Sequence, residues 1–396
     1  MLNKVVCRTP QDVIHKFQKI FLYNNFYQQH ILKLSGTTIL YVLVFIGLMI
    51  IANHGFAHEA WVLTPEQFKT WNAKPRPEIF TSLNSTNVIL SSLALAVIAV
   101  VVWLDRQNSK NGFLGLTDRL SSYSDYATVG VRWSLAVMLC IAAFGLNPRH
   151  GTRLFEASTL VAPDLELRLL HGNWQWLAWA QAPAMITLIT GIYIRTTAFV
   201  ILLIDILGLY IFGYRMIAYA GIVGGIALYL LLAGPGKFSY QLPTLSILKP
   251  IHNWLIKQPL PRAQLLMRFF AGSNLLYLGI EYKFMQPNLS MAFVEMGHVY
   301  TFGFEPATFV FCMFLVETIA GLLMVLGMMM RPLSFVLFTA FIFLAYALKE
   351  NPIGHIIFYG ILWASVINGA GSWSEQASES ITSTRNASWK WALRNR

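Results

Sequence analysis

The sequence predicts an all-α polytopic membrane protein of about ten transmembrane helices, built as two tandem four-helix bundles behind an N-terminal two-helix unit. Two observations carry this expectation. Hydrophobic residues make up 56% of the 396 residues and charged residues 12%. The apolar residues sit in blocks instead of alternating with polar ones, so the solvent they match is lipid. The second observation is an internal repeat. At an offset of 136, Arg132 falls on Arg268, Gln181 on Glu317, Gly191 on Gly327 and Arg195 on Arg331. At an offset of 135, Gly234-Pro235-Gly236-Lys237-Phe238-Ser239 falls on Gly369-Ala370-Gly371-Ser372-Trp373-Ser374. The second half is a diverged copy of the first, and differences between the copies point to chemistry.

The elements follow in order. Residues 1–36 form a cytoplasmic segment in which Thr9-Pro10-Gln11-Asp12 supplies a cap, a first-turn proline and an acid. Val13, Ile14, Phe17, Ile20 and Phe21 continue at helical spacing between Lys16 and Lys19, as in an amphipathic helix on the membrane surface. A soluble helix docking on a partner is the alternative. Residues 37–127 hold two spans, at 37–53 and 87–104, joined by an outer loop. There, Thr64-Pro65-Glu66-Gln67 reads as a capping box and predicts a short helix over 65–72. The first bundle, 128–239, has spans at 128–146, 175–194, 197–213 and 216–233. A proline-bearing connector without acids covers 240–262, and the second bundle, 263–371, has spans at 264–281, 306–328, 332–348 and 355–370. The tail, 372–396, is Ser-rich, then basic, with Trp389 and Trp391 at the lipid interface. All spans are read as helices, because backbone amides in hydrocarbon must be satisfied within their own segment.

Lys and Arg concentrate in alternate connections, which predicts cytoplasmic termini. The net charge of +11 is then largely this bias and attraction to anionic lipid, with no nucleic acid implied. Cys7, Cys140 and Cys312 lie far apart, without a Cys-x-x-Cys, so no disulfide framework, thiolate metal site or dithiol redox pair is encoded.

Polar residues inside apolar spans are the candidate site. Glu317 lies mid-span, where an ionised carboxylate needs a partner or a proton, and its counterpart Gln181 keeps the shape but cannot titrate. A proton-carrying role explains why one copy alone needs the acid, whereas a structural role fits both. Asp205 sits mid-span opposite Phe341 in the repeat, either as part of a two-carboxylate relay or as polar glue between helices. Arg132 and Arg268 read as snorkelling anchors, with Arg268 near enough in depth to Glu317 for long side chains or one water to link them. Arg195 and Arg331 suit the C-termini of spans, and Lys283 either reaches back toward the core or anchors. His54 and His58, four apart beside Glu59, have the spacing of metal or haem ligands, although Gly55 weakens the helix and an unliganded interfacial pair is the alternative.

Arg268, Gly272, Gly279, Lys283 and Phe284, followed by Glu317-x3-Gly321-x5-Gly327-x3-Arg331, resemble the pattern of the DoxX family of small four-helix membrane proteins. His355 and Gly369-x-Gly371 resemble that family's end. The resemblance covers about 263–374, with 128–239 as a decayed copy and 1–127 outside it. It implies a bacterial inner-membrane protein and redox chemistry at the membrane: a quinone-linked component or subunit of a membrane oxidoreductase complex, with quinone as cofactor and membrane or peripheral redox subunits as partners. Glu317, with Arg268 and Asp205, is the expected proton and quinone site. The other readings are a metal or small-solute binding or transport protein using the outer histidines, and a scaffold without chemistry.

Overall fold

The computed structural model describes residues 63–111, 120, 122–146, 153–162, 165–170, 173–240, 249–258, 260–347 and 352–371. Residues 1–62 lie outside the described set, and with them the N-terminal amphipathic helix and the first span expected above. The tail from 372 also lies outside.

Among the described residues the secondary structure is helical apart from one isolated bridge, Thr159 to Glu166. The helices are α1 (Pro65–Asn72), α2 (Glu78–Thr81), α3 (Ser85–Asn111), α4 (Ser124–Phe144), α5 (Trp176–Thr190), α6 (Ile194–Phe212) and α7 (Tyr214–Ala233). They continue with α8 (Lys249–Ile256), α9 (Leu260–Leu278), α10 (Pro287–Met296), α11 (Pro306–Leu326), α12 (Met330–Ala347) and α13 (Ile356–Asn368). A π-helical segment, Gly279–Met285, extends α9. Helix α1 starts as its sequence requires: the Thr64 amide donates to Gln67 Oε1 at 2.8 Å, and the Gln67 amide to Thr64 Oγ1 at 3.3 Å.

Among the described residues, five helices are long and apolar enough to cross a bilayer: α3, α4, α6, α7 and α11. The chain is therefore a helical, multi-pass membrane protein. Helices α12 and α13 carry shorter apolar stretches, Met330–Phe343 and Ile356–Asn368. Helix α5 has 15 residues, about 22 Å at 1.5 Å per residue, against a hydrocarbon core of about 30 Å. The expected length of 175–194 is cut short because Gly191 turns the chain into the left-handed region at φ +77°.

Helix packing gives the internal repeat a physical meaning. Within each copy the first helix packs on the second, α4 on α5 and α9 on α11, and the third on the fourth, α6 on α7 and α12 on α13. The most extensive single contact crosses between copies, α7 on α9, and α13 packs on α4 about as closely as the helices within a copy pack on each other. Small residues permit both approaches. A Cβ on Gly225 of α7 would lie 2.9 Å from Phe270 Cβ of α9, and one on Gly360 of α13 would lie 2.7 Å from Ser134 Cβ of α4. Gly225 and Gly360 are repeat counterparts, as are Phe270 and Ser134. Each copy thus lends its last helix to the other around a pseudo-twofold relation, and one continuous apolar core runs through both.

Four arginines close one pole of this assembly. The Arg132 guanidinium donates to Pro235 O (2.5 Å), Phe238 O (3.2 Å) and Ile189 O (3.5 Å), at the ends of α7 and α5. Arg268 donates to Met324 O (2.7 Å), Val325 O (2.5 Å) and Ala370 O, at the ends of α11 and α13. Arg195 takes Leu231 O (3.1 Å) and Leu232 O (3.4 Å), and Arg331 takes Val366 O (3.1 Å) and Ile367 O (3.2 Å). Each cation fills the gap over a glycine of positive φ. A Cβ on Gly191 or Gly327 would stand 2.7 or 2.6 Å from Arg132 or Arg268, and one on Gly234 or Gly369 would stand 2.7 or 3.1 Å from Arg195 or Arg331. These pairs are the residues that the repeat retains.

Beside them a polar chain links the copies. Thr128 Oγ1 and Tyr229 Oη lie 3.0 Å apart, Asn368 Nδ2 donates to Tyr229 Oη (3.2 Å) and to Gln264 Oε1 (3.4 Å), and Gln264 Nε2 donates to Ser365 Oγ (3.0 Å). It joins α4, α7, α9 and α13.

In a cysteine-free background, Ser134→Cys with Gly360→Cys, and Gly225→Cys with Phe270→Cys, should each cross-link on mild oxidation. A protease site placed within 241–248 reads this out: the two halves should stay joined on a non-reducing gel. Separation of the halves with both pairs would show that each copy packs as its own bundle.

Candidate functional site

The two copies differ most at the pole opposite the arginines, and the difference explains Gln181 and Glu317. In the first copy the segment after α4 folds back into the bundle. Leu160, Val161, Leu165 and Leu167 are all within 1% of full burial. The Leu160 amide donates to Leu165 O (2.9 Å) and the Leu167 amide to Ser158 O (3.2 Å), closing a small hairpin. Gln181, fully buried on α5, holds it: Oε1 accepts the Val161 amide at 2.8 Å, and Nε2 donates to Thr159 O at 2.9 Å. Both ends of the side chain are used, and a carboxylate could not donate the second bond. At the hairpin's rim Glu156 accepts the Arg153 amide and pairs with Arg168 at 3.3 Å, which holds its carboxyl below the usual range.

In the second copy the π segment and α10 occupy this end. Glu317 is half-buried near the middle of α11 and faces Gly279, whose added Cβ would lie 3.2 Å from Glu317 Cβ. Glycine at 279 is therefore what lets the acid-bearing face of α11 approach α9. The π segment begins there and packs on α11, and Lys283 within it is only 8% exposed. Lys283 thus reaches back toward the core, the first of the two orientations its sequence position allowed.

An open, largely aromatic crevice of about 450 Å³ lies beside this interface, lined by Phe80 of α2, Ser91 and Leu95 of α3, Phe284 of the π segment, and Phe311 and Phe314 of α11. Phe284 adjoins Lys283 in sequence, and Phe314 stands one helical turn before Glu317. Helix α3 forms one wall and is otherwise apolar and open: 6% of its spanning window is buried, against 67% for α4. The connection before α3 fixes the crevice to the second copy. Arg76 donates to Phe284 O (2.8 Å), and Asn288 Nδ2 donates to Lys74 O (2.6 Å). Trp71 and Leu63 pack on Leu289 and Ala292.

The remaining expected site residues fall elsewhere. Arg268 bonds the carbonyls of Met324 and Val325, seven and eight residues past Glu317, about 10–12 Å along the helix axis. Its guanidinium sits on the carbonyls at the end of α11. Buried fully, it is a clamp on carbonyls and not a snorkelling anchor, and so is Arg132. Asp205, 6% exposed, lies at the α6–α7 interface of the first copy, so it and Glu317 occupy different interfaces. His54 and His58 lie outside the described residues. Among the described residues no three His, Cys, Asp or Glu side chains cluster closely enough to hold a metal ion. Sequence reading missed the Thr128–Tyr229–Asn368–Gln264 chain; polar residues near span ends in both copies were the available signal.

No family model, curated protein or solved structure matches the chain.

Gln181→Ala should cost roughly 1–3 kcal/mol, the scale for buried groups left unsatisfied, by freeing Thr159 O and the Val161 amide. Gln181→Glu should destabilise as well, since it abolishes the donor. Glu317→Gln should leave stability near the parent's. Thermal unfolding in detergent, followed by tryptophan fluorescence, measures all three; a Gln181→Glu protein as stable as the parent would contradict the hairpin assignment.

Proposed function

We propose that this protein is a DoxX-like, quinone-linked redox component of a bacterial inner membrane, with Glu317 taking or giving the proton that accompanies quinone reduction. In this reading the chain makes ten spans, with both termini cytoplasmic and the arginine pole facing the cytoplasm. The observation that supports it is the conjunction at the opposite pole: an intramembrane acid and a buried lysine on two packed elements, beside an aromatic crevice that opens along a lipid-exposed helix. An intramembrane acid is a functional candidate by default, and π segments recur at functional sites. A lipophilic molecule with a flat, carbonyl-bearing head fits such a place, because aromatic rings favour stacking against a planar ring while the apolar wall of α3 would guide a long tail from the bilayer. Lys283 would donate to a carbonyl oxygen of the head, and Glu317 would exchange the proton. When bound, the quinone supplies the electron-accepting chemistry; a partner subunit supplies the electrons.

Protein purified from quinone-containing membranes should carry extractable quinone in stoichiometric amount, and Phe314→Ala and Leu95→Trp, which empty and fill the crevice, should each lose it. Glu317→Gln should insert normally and keep the quinone, yet fail to restore a deletion strain or quinone-linked turnover in membranes. Absence of quinone from the parent protein, or full complementation by Glu317→Gln, would overturn the assignment.

A further inference from the structure

We propose that Asp205 and the space opposite it at Gly224 form a buried proton-exchange site in the first copy, in which the carboxyl trades a proton with water lodged between α6 and α7.

The carboxyl is more than nine-tenths buried, and Oδ1 has no hydrogen-bond partner among the described residues. A carboxylate in hydrocarbon needs donors or a counter-ion, and either absence favours the neutral acid or a bound water. The segment 158–168, whose Leu160 meets α6 at Gly208, carries Glu166 and Arg168, which are bonded to each other. Helix α5 carries no titratable side chain. Helix α6 brings Arg195 and Tyr210: Arg195 lies ten residues away, about 15 Å along the axis, with its guanidinium on the Leu231 and Leu232 carbonyls. Tyr210 is 83% exposed. Helix α7 brings Arg215, Tyr214, Tyr219 and Tyr229. Arg215 is exposed and nine residues before Gly224, about 14 Å away, while Tyr229 is bonded to Thr128 and Asn368.

Space is the second observation. Among the described residues, and outside its own helix turn, only Asp205 Oδ2 comes within 4 Å of the position a Cβ would take on Gly224, at 3.0 Å. The glycine leaves an opening on the carboxyl's side. The repeat supplies the comparison: the counterparts of Asp205 and Gly224 are Phe341 and Tyr359. There Phe341 packs on Phe358 with ring centres 5.1 Å apart, and Tyr359 on Phe338 at 5.3 Å. One copy fills this interface with aromatic rings; the other keeps an acid and a gap. A polar opening bounded by carboxyl oxygens suits a water, whereas an apolar void would stay dry. The exchange is balanced by itself: the carboxyl O–H bond breaks as the water gains the proton, and nothing is oxidised. Glu317 takes no part, so this site stands whether or not the quinone assignment does.

Infrared spectroscopy of the full chain in lipid nanodiscs, with carbon-13-labelled aspartate, tests it. The parent should show a protonated aspartic-acid carbonyl band that shifts down on transfer to heavy water and is lost in Asp205→Asn. Gly224→Ala, which puts a methyl group where the water would sit, should move the band to higher frequency and slow its exchange. That variant retains the acid, so it decides the matter if Asp205→Asn fails to fold. Lack of such a band in the parent, a band that does not exchange, or a Gly224→Ala spectrum and exchange identical to the parent's would each overturn the proposal.

Discussion

The capture of helix-end carbonyls by buried arginines is the constraint on which this architecture rests. A helix leaves its last four carbonyls without intrahelical partners, and in a bilayer no solvent satisfies them. A guanidinium in the same region is costly unless its donors are used. Each problem is the other's solution. Helices α5, α7, α11 and α13 end at one pole, and each end receives the guanidinium of an arginine from the first half of α4, α6, α9 or α12. The negative end of each helix dipole adds to the attraction. Glycine is required at 191, 234, 327 and 369 on two counts: φ is positive, and the cation occupies the volume a side chain would need.

With the clamps equal in both copies, the copies can differ elsewhere without losing the frame. The exchange of last helices makes a single core, so neither copy has to be complete in itself. At the opposite pole the first copy inserts a hairpin held by Gln181, and the second inserts a π segment and α10. Gln181 serves as donor and acceptor together, a part that a carboxylate could not take. The connection before α3 docks on α10 and the π segment through Arg76 and Asn288. This places the crevice, the buried lysine and Glu317 at one interface of one copy, while Asp205 and Gly224 mark a separate departure in the other.

What the sequence disclosed followed the range of the forces involved. The capping box at Thr64 and Gln67 is local, and helix α1 matched it residue for residue. The Arg and Gly positions of the repeat were visible because such pairs tolerate few substitutes, but their purpose was not. The acceptors are main-chain carbonyls, which carry no residue identity. Apolar periodicity locates helices without saying which pack together, which hid the exchange of α7 and α13. Lys283 looked ambiguous because it lies in a π segment, a backbone feature that an α-helical projection of the sequence misplaces. Short α5 and α13 follow from early glycine caps and not from loss of apolar character.

Paired unfolding measurements on Arg132→Gln and Arg268→Gln test the central claim most directly, because the clamps make the two arginines structural equivalents while the proposed quinone site belongs to one copy. Both variants should be destabilised to a similar degree, by at least about 3 kcal/mol, as expected when a buried charged hydrogen-bonding group is removed. An Arg268→Gln protein that unfolds like the parent but has lost quinone-linked turnover would contradict the account, for it would place Arg268 in the chemistry and not in the frame.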